Sequence, residues 1–476
     1  MKKILLLAIL VIQNISAQIV SKDNLFASNG IYSTTNYDAW SKMVQNSDGS
    51  IYFTYTKNNG TTPSPSFLSK LNANGSVDST FGNNGEIQLP YTSNDSQLKM
   101  QPDGKLLIHA FDSNTDTNYS AIIRVLPSGQ LDSTFGINGA SKIPDINPDL
   151  NVRGYGLVLQ NNKIIVYGQK TIIPLQDPTG IICRLNENGS LDTTFGMNGF
   201  INNFSSFNLV ALDSQSNIVC FGYNKPDPAS SSYVGAVAKY NADGQLITGF
   251  GNAGIVNLTF NPGYIQSAIL DSNNNIIFSS FDPNAAGSLN KINANGTFDP
   301  SFAANFNSSF SSLNDILSIV EKSGYYYIGG MNYAQNGGEF FISKIAQNGQ
   351  IDPVFNYFVE TDPNLTTVGD MIINNNSIIV NGSGYIVKYL LNNMTLATTN
   401  PAKPASTITI ENPVSQNLIF TSKDKVAKIE IFSVNGQVIK TIKDSHSSVS
   451  DLSKGIYTAK VTFENGHTTS KKLIKN

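Results

Sequence analysis

Leu71-Asn72-Ala73-Asn74-Gly75-Ser76-Val77-Asp78-Ser79-Thr80-Phe81-Gly82-Asn83-Asn84-Gly85 decides the fold, because it returns along the chain. Residues 126–139, 185–199 and 240–254 repeat it closely, residues 292–302 and 345–355 keep its first half, and residues 26–31 keep only its second. The aromatic landmarks Phe81, Phe135, Phe195, Phe250, Phe302 and Phe355 lie 54, 60, 55, 52 and 53 residues apart. A fixed period of this size marks an architecture of stacked or radially packed units.

A second landmark keeps step with the first. Asp48-Gly49, Asp103-Gly104, Asn162-Lys163, Asn217-Ile218, Asn275-Ile276, Gly324-Tyr325 and Asn376-Ser377 each lead into a short run of β-branched, aliphatic or aromatic residues. Such a turn followed by a β-rich run is the signature of a tight hairpin. Four short strands fit each unit; in the second they fall near residues 86–89, 97–100, 105–110 and 121–126. Four strands in each of seven units, none able to bury both sheet faces alone, predict an all-β seven-bladed β-propeller over residues 18–391. On this reading the first unit opens near Gly30 with its innermost strand, and the last closes near Leu390 with an outermost one. Leu25 and Phe26 fit either side of the seam.

Both ends of the chain read as addresses. Lys2 and Lys3, an apolar run over residues 4–12 and the small-residue pattern Ile15-Ser16-Ala17 predict a signal peptide over residues 1–17, leaving Gln18 as the first mature residue. The apolar run is about half the ~20 residues a spanning helix needs. At the other end, residues 392–406 form a Thr/Asn/Pro/Ala linker. Alternating strand signals with turns at Asn435-Gly436 and Asn465-Gly466 then predict a small C-terminal β-sandwich over residues 407–476. In residues 408–476, 10 lysines oppose 6 acids, a net +4 against −3 for the whole chain.

Composition excludes several chemistries. With 31 basic against 34 acidic side chains there is no footprint for general nucleic-acid binding. Three histidines and two cysteines leave little material for zinc clusters or histidine-dependent triads. Export permits a disulfide between Cys183 and Cys220, but both lie in apolar strand runs, where buried free thiols are the simpler reading. The Asn72/Asn74/Asp78 and Asn186/Asn188/Asp192 patterns suit a Ca²⁺ loop in spacing, yet mostly neutral Asn at a Gly turn is explained by turn formation alone. No cofactor is therefore expected. The recurring phenylalanines read as packing between blades, their Asp partners as turn caps, and His109 as a structural histidine.

The repeats resemble the delta-60 repeat family, whose hallmark is Leu-Asp-x-x-Phe-Gly, an Asn-Gly turn and then Asp-Gly-Lys. The copies at Phe81, Phe135, Phe195 and Phe250 keep Phe-Gly-x-x-Gly, whereas Leu246-Ile247-Thr248-Gly249 lacks the Asp, and Phe302 and Phe355 lack the Phe-Gly pair. Membership implies a propeller found in bacterial surface and secreted proteins, with no single activity. Glu411-Asn412-Pro413, the Ile429 to Gly436 run, Leu452-Ser453-Lys454-Gly455-Ile456-Tyr457 and Lys471-Lys472-Leu473-Ile474-Lys475 resemble, in order, the C-terminal sorting domain of the type IX secretion system. That resemblance implies export across the outer membrane, with the type IX translocon and a sortase-like protease as partners. It also implies a sorting signal carried by Asn412, Pro413, Gly436, Gly455, Tyr457, Lys471, Lys472 and Lys475.

Function is sought where the repeat is not kept. The loops at 55–65, 111–119, 169–180, 223–233, 281–287 and 331–339 differ wholly between units and lie on the face opposite the repeated turns. Irregular loops on a rigid scaffold are the usual seat of binding. Tyr55, Phe111, Tyr223, Tyr233 and Tyr333 are expected as exposed aromatics contacting an extracellular glycan or protein, in a molecule that is not an enzyme. The alternative is a polysaccharide-acting hydrolase or lyase with two carboxylates at the propeller channel.

Overall fold

The computed structural model describes residues 20–34, 42–57, 60, 64–91, 97–112, 119–143, 150–172, 179–225, 233–258, 264–281, 287–309, 314–332, 339–355, 357–391, 408–433, 437–464 and 468–476. Up to residue 393 the chain is one compact unit, and from 394 a second.

Among the described residues, every strand of the first unit belongs to one of seven antiparallel sheets. The first blade is Met43–Gln45, Ile51–Thr56, Ser66–Leu71 and Glu86–Gln88; the second is Leu98–Met100, Leu106–Asp112, Tyr119–Val125 and Ala140–Lys142. The innermost strands of blades three to seven are Leu150–Gln160, Ser206–Leu212, Tyr264–Leu270, Asn314–Lys322 and Asp370–Ile373. Successive inner strands touch one another around a complete circle, the seventh against the first. This is a closed seven-bladed β-propeller.

The phase of the repeat differs from the sequence expectation by one strand. Glu86–Gln88 pairs with Ser66–Leu71 and is the outermost strand of blade one, not the innermost of blade two. The long repeated motif therefore joins the third and fourth strands of a blade. Likewise, Ile31–Ser33 is not an innermost strand. Val20–Lys22 and Ile31–Ser33 both pair with Tyr385–Leu391, so the N-terminal segment supplies the outer edge of blade seven. The physical reason is that hydrogen bonding across the sheet, and not adjacency in sequence, decides which blade a strand joins. The faces survive this shift, because moving every strand by one keeps the repeated turns on one side and the variable loops on the other.

Strand runs are almost continuously apolar because each blade buries both faces. Leu106 and Ile108 join Tyr52, Leu68 and Phe81 of blade one, while the intervening Leu107 joins Leu157 and Ile164 of blade three. Seven such clusters fill the seven junctions. Phe81, Phe135, Phe195, Phe250, Phe302 and Phe355 are all buried in them.

Each motif also carries an ion pair. The basic residue at the end of the third strand meets the Asp of the turn: Lys70–Asp78 at 2.8 Å, Arg124–Asp132 at 2.9 Å, Arg184–Asp192 at 2.7 Å and Lys344–Asp352 at 2.8 Å. In blade four, where Ile247 replaces the Asp, Lys239 turns to Asp213 at 2.9 Å. The same cation lies over the motif ring, 4.5 Å from the Phe135 centroid for Arg124 and 4.7 Å from Phe195 for Arg184. In blade seven Lys388 meets Asp23 at 3.1 Å, so the last repeat is split between the two ends of the chain. Turns are latched blade to blade as well: Gly82 N–H donates to Ser128 O, Gly136 to Asn188 O, Gly196 to Asp243 O, Gly251 to Asn295 O and Ala27 to Asn74 O. A Cβ on Gly129 would stand 2.5 Å from Gly82 N, which explains glycine in the turn that receives the latch.

Blade five departs from the four-strand pattern. Among the described residues its sheet has three strands, Tyr264–Leu270, Ile276–Phe281 and Ser288–Ile292, and the helix Pro300–Ser309 follows. Phe302 and Phe306, one helical turn apart, are both fully buried there.

The second unit is a β-sandwich. Ile408–Ile410, Asn417–Ser422 and His446–Ser448 form one sheet; Val438–Ile442, Val426–Phe432, Gly455–Phe463 and Thr468–Lys475 form the other. Leu418, Phe420 and Val449 pack with Ile429, Ile431, Val461 and Leu473 between them.

Candidate functional site

Of the five loop aromatics, the structure brings Tyr223 and Tyr233 together. They line a cavity of about 290 Å³ with Gln169, Ser205, Ser206 and Asn208, at the junction of blades three and four on the variable face. Tyr223 sits near the end of Ile218–Asn224, opposite Ser206 in the ladder. Tyr233 immediately precedes Val234–Tyr240 and is 36% exposed, with the Lys225 ammonium 5.8 Å from its ring centroid.

The polar groups of the cavity orient one another. Tyr155 donates its hydroxyl to Gln169 Oε1 at 2.8 Å, and Ser206 donates to Asn208 Oδ1 at 2.7 Å. Both amides thus spend their carbonyl oxygens on protein hydroxyls. Their NH₂ groups make no hydrogen bond to the described residues, so they stand as donors for a ligand oxygen. No carboxylate lines the cavity among the described residues. Its chemistry is stacking plus neutral hydrogen bonding.

Tyr55 is a correction. It is 4% exposed, within Ile51–Thr56, a strand buried along its whole length. It stacks on Phe53 at 5.6 Å and donates its hydroxyl to Glu86, and burial together with that carboxylate raises its pKa above the usual phenol value. An aromatic just before a variable loop is here still inside the blade. Phe111 lies in Leu106–Asp112, opposite Ser120 in the ladder. Tyr333 is outside the described residues.

A second cavity, of about 270 Å³, lies at the seam and includes Lys22, Glu360 and Tyr389 in its lining. Its polar groups satisfy each other: Lys22 Nζ is 3.3 Å from Glu360 and 3.4 Å from Asp362, and Tyr389 donates to Glu360. These bonds hold the closing strand.

The remaining candidates are structural in placement. His109 is buried with Nε2 2.6 Å from Ser120 Oγ, and burial lowers its pKa to about 4. Cys183 and Cys220 are buried free thiols, and burial pushes Cys183 up to about 12. In the calcium-like turns, Asn74 Oδ1 accepts from the Ser76 amide and hydroxyl, and Asp78 Oδ1 from those of Thr80. Hydrogen bonds from Lys70 and Thr80 hold Asp78 down at about 2.

In the second unit Asn412 ties the two ends together. Its Oδ1 accepts from Ile474 N–H at 2.8 Å and its Nδ2 donates to Lys472 O at 3.0 Å, next to a cis peptide bond at Pro413. Tyr457 donates to Ser453 O at 2.7 Å, Gly455 opens its strand opposite Lys475, and Lys471 and Lys472 are exposed. Gly436 lies outside the described residues.

Residues 411–476 match the family of secretion system C-terminal sorting domains, and residues 101–135 and 159–195 match a β-propeller family described as a domain of unknown function. The chain is a β-propeller protein with a secretion-system sorting domain. The sorting domain directs type IX export to the cell surface or extracellular space and engages the secretion machinery on the way. No helix among the described residues is long and apolar enough to cross a membrane. No curated protein matches the chain. Solved structures similar to it include the β-propeller domain of the Trilobed protease from Pyrococcus furiosus (10% identity, TM-score 0.42, 72% of this chain and 91% of that one). A protein of unknown function from Dyadobacter fermentans (11%, 0.39, 79% and 100%) and the polysaccharide lyase Uly1 (9%, 0.39, 74% and 77%) are others.

Proposed function

We propose that the exported propeller is a non-enzymatic binding protein that holds an extracellular glycan in the cavity between blades three and four. The observation that carries this reading is the lining: two tyrosines beside two amides whose NH₂ groups face no described protein acceptor. Aromatic faces with a few convergent neutral polar groups suit a sugar, whose rings offer C–H faces and hydroxyl oxygens. The alternative, a hydrolase or lyase, places its carboxylate pair at the propeller channel and not in this cavity, whose described lining holds no carboxylate.

The test is retention of the purified chain on a panel of extracellular polysaccharides, with reducing ends and unsaturated products read in parallel. Retention without products, lost on Tyr223→Ala, is the expected result. Products would install the enzymatic alternative, and retention unchanged in Tyr223→Ala would remove the cavity from the site.

For export, we infer that Asn412, Pro413, Gly436, Gly455, Tyr457, Lys471, Lys472 and Lys475 form the signal read by the translocon, after which a sortase-like protease acts on the chain. Asn412 fixes the terminal strand that presents Lys471 and Lys472, so Asn412→Ala is expected to reduce surface delivery along with Lys471→Ala/Lys472→Ala.

A further inference from the structure

Blades three to six share a feature that the repeat motifs do not announce. In each, the register between the inner strand and its neighbour slips by one residue at the same place: between Gly154 and Gly156, Phe207 and Leu209, Ile265 and Ser267, and Ile316 and Ser318. The extra residues are Tyr155, Asn208, Gln266 and Leu317. Among the described residues, the inner strands of blades one, two and seven pair without such a slip.

A bulge leaves one residue out of the ladder and re-aims its side chain. The neighbouring strand is built to allow it, with Gly168, Gly222, Ser280 and Gly330 opposite the residue before each bulge. A Cβ on Gly222 or Gly330 would stand 1.7 Å from the carbonyl oxygen of Ser206 or Asp315. Small residues at these positions maintain the bulges.

The first three bulge residues are uncharged hydrogen-bonding groups, all partly or fully exposed. Tyr155 positions Gln169 at the cavity, and Asn208 lines it. Asn208 and Tyr223 also line a smaller cavity of about 30 Å³ that reaches Ile265, the residue before the bulge of blade five. The two cavities share Asn208 and Tyr223 in their lining and between them touch blades three, four and five.

We propose that these cavities belong to a binding track for an extended, uncharged glycan, with Tyr155, Asn208 and Gln266 giving one hydrogen-bonding position per blade and Tyr223 the stacking platform. The apolar Leu317 ends it in blade six. The proposal rests on the glycan reading above and adds the length, charge and direction of the ligand. Contacts that are each worth about 0.5–1.5 kcal/mol accumulate with chain length, and without ion pairs the binding is insensitive to salt.

The test uses the full purified chain on an array of neutral and anionic oligosaccharides, each from mono- to hexasaccharide, with Asn208→Ala and Gln266→Ala checked for unchanged thermal midpoints. Neutral chains are expected to bind more tightly with length. Asn208→Ala should weaken every length by roughly tenfold, about 1.4 kcal/mol, while Gln266→Ala should remove only the gain of the longest chains. Retention confined to anionic chains and abolished by salt overturns the track, as does binding that Gln266→Ala leaves unchanged at every length. Retention of no sugar at all overturns the glycan reading itself, a different outcome from either.

Discussion

Blades three and five do the same job with different parts. In blade three the motif is intact: Arg184 reaches Asp192 at 2.7 Å, Gln160 Oε1 at 3.0 Å and Ala242 O at 2.7 Å, and Gly196 latches onto blade four. In blade five Lys291 stands 3.9 Å from Asp299, and the helix Pro300–Ser309 takes the place of a fourth strand. Asn305 there donates a side-chain hydrogen bond to Asn348 O at 2.9 Å, a substitute for the backbone latch. Both blades nevertheless bury a phenylalanine, Phe195 or Phe302, at the junction with the next blade. Both blades thus keep the buried aromatic and a bond to the following turn, whereas the outer strand and the tight ion pair are replaced in blade five.

That comparison can be broken or sharpened by measurement. Phe195→Ala is expected to cost about 3–5 kcal/mol by lost burial and a cavity, and Phe302→Ala a similar amount; denaturant titration showing one of them harmless would end the shared-aromatic account. Arg184→Met should cost about 3 kcal/mol, because it leaves a buried carboxylate with fewer partners. Protonation offers an independent check on the junction of blades two and three. His109 takes a proton near pH 4 when folded and near 6.5 when unfolded, so the unfolded chain binds the proton first and stability falls as pH drops through that window. The loss reaches about 3 kcal/mol, and His109→Gln should flatten the midpoint between pH 6.5 and 4. Lys291→Met, by contrast, should change stability by less than about 1 kcal/mol, as for a long and partly exposed pair. Smallest of all, chelation with EDTA should leave the thermal midpoint unmoved; a downward shift would assign Ca²⁺ to the Asn-Gly turns.

Much of this was legible in the sequence because turn chemistry is local. The Asn-Gly and Asp-Gly turns, the buried phenylalanines and the structural His109 all follow from residues a few positions apart. The phase of the blades was not legible, since Glu86–Gln88 is separated from both neighbouring strands by turns and only its pairing with Ser66–Leu71 assigns it. The ion pairs were within reach: Lys70, Arg124, Arg184, Lys239, Lys291 and Lys344 each stand 11 residues before the landmark phenylalanine of their motif. The candidate site was only partly readable. Tyr223 and Tyr233 follow from loop position, but Tyr55 lies in a strand whose two faces are both covered. Asn208 is marked only by Gly222 in an otherwise apolar strand, a glycine whose purpose shows once the bulge is seen.

The closure of the ring by Val20–Lys22 and Ile31–Ser33 sets an order in time. These strands precede every other strand of the propeller in the chain, yet their partner Tyr385–Leu391 is its last element. The first blade edge must wait, unpaired, for a strand about 370 residues later, a wait whose entropic penalty grows only with the logarithm of the loop but whose rate is that of a distant contact. Synthesis reaches the sorting domain directly afterwards. By the time the export signal is complete, every strand needed to finish the ring has been made.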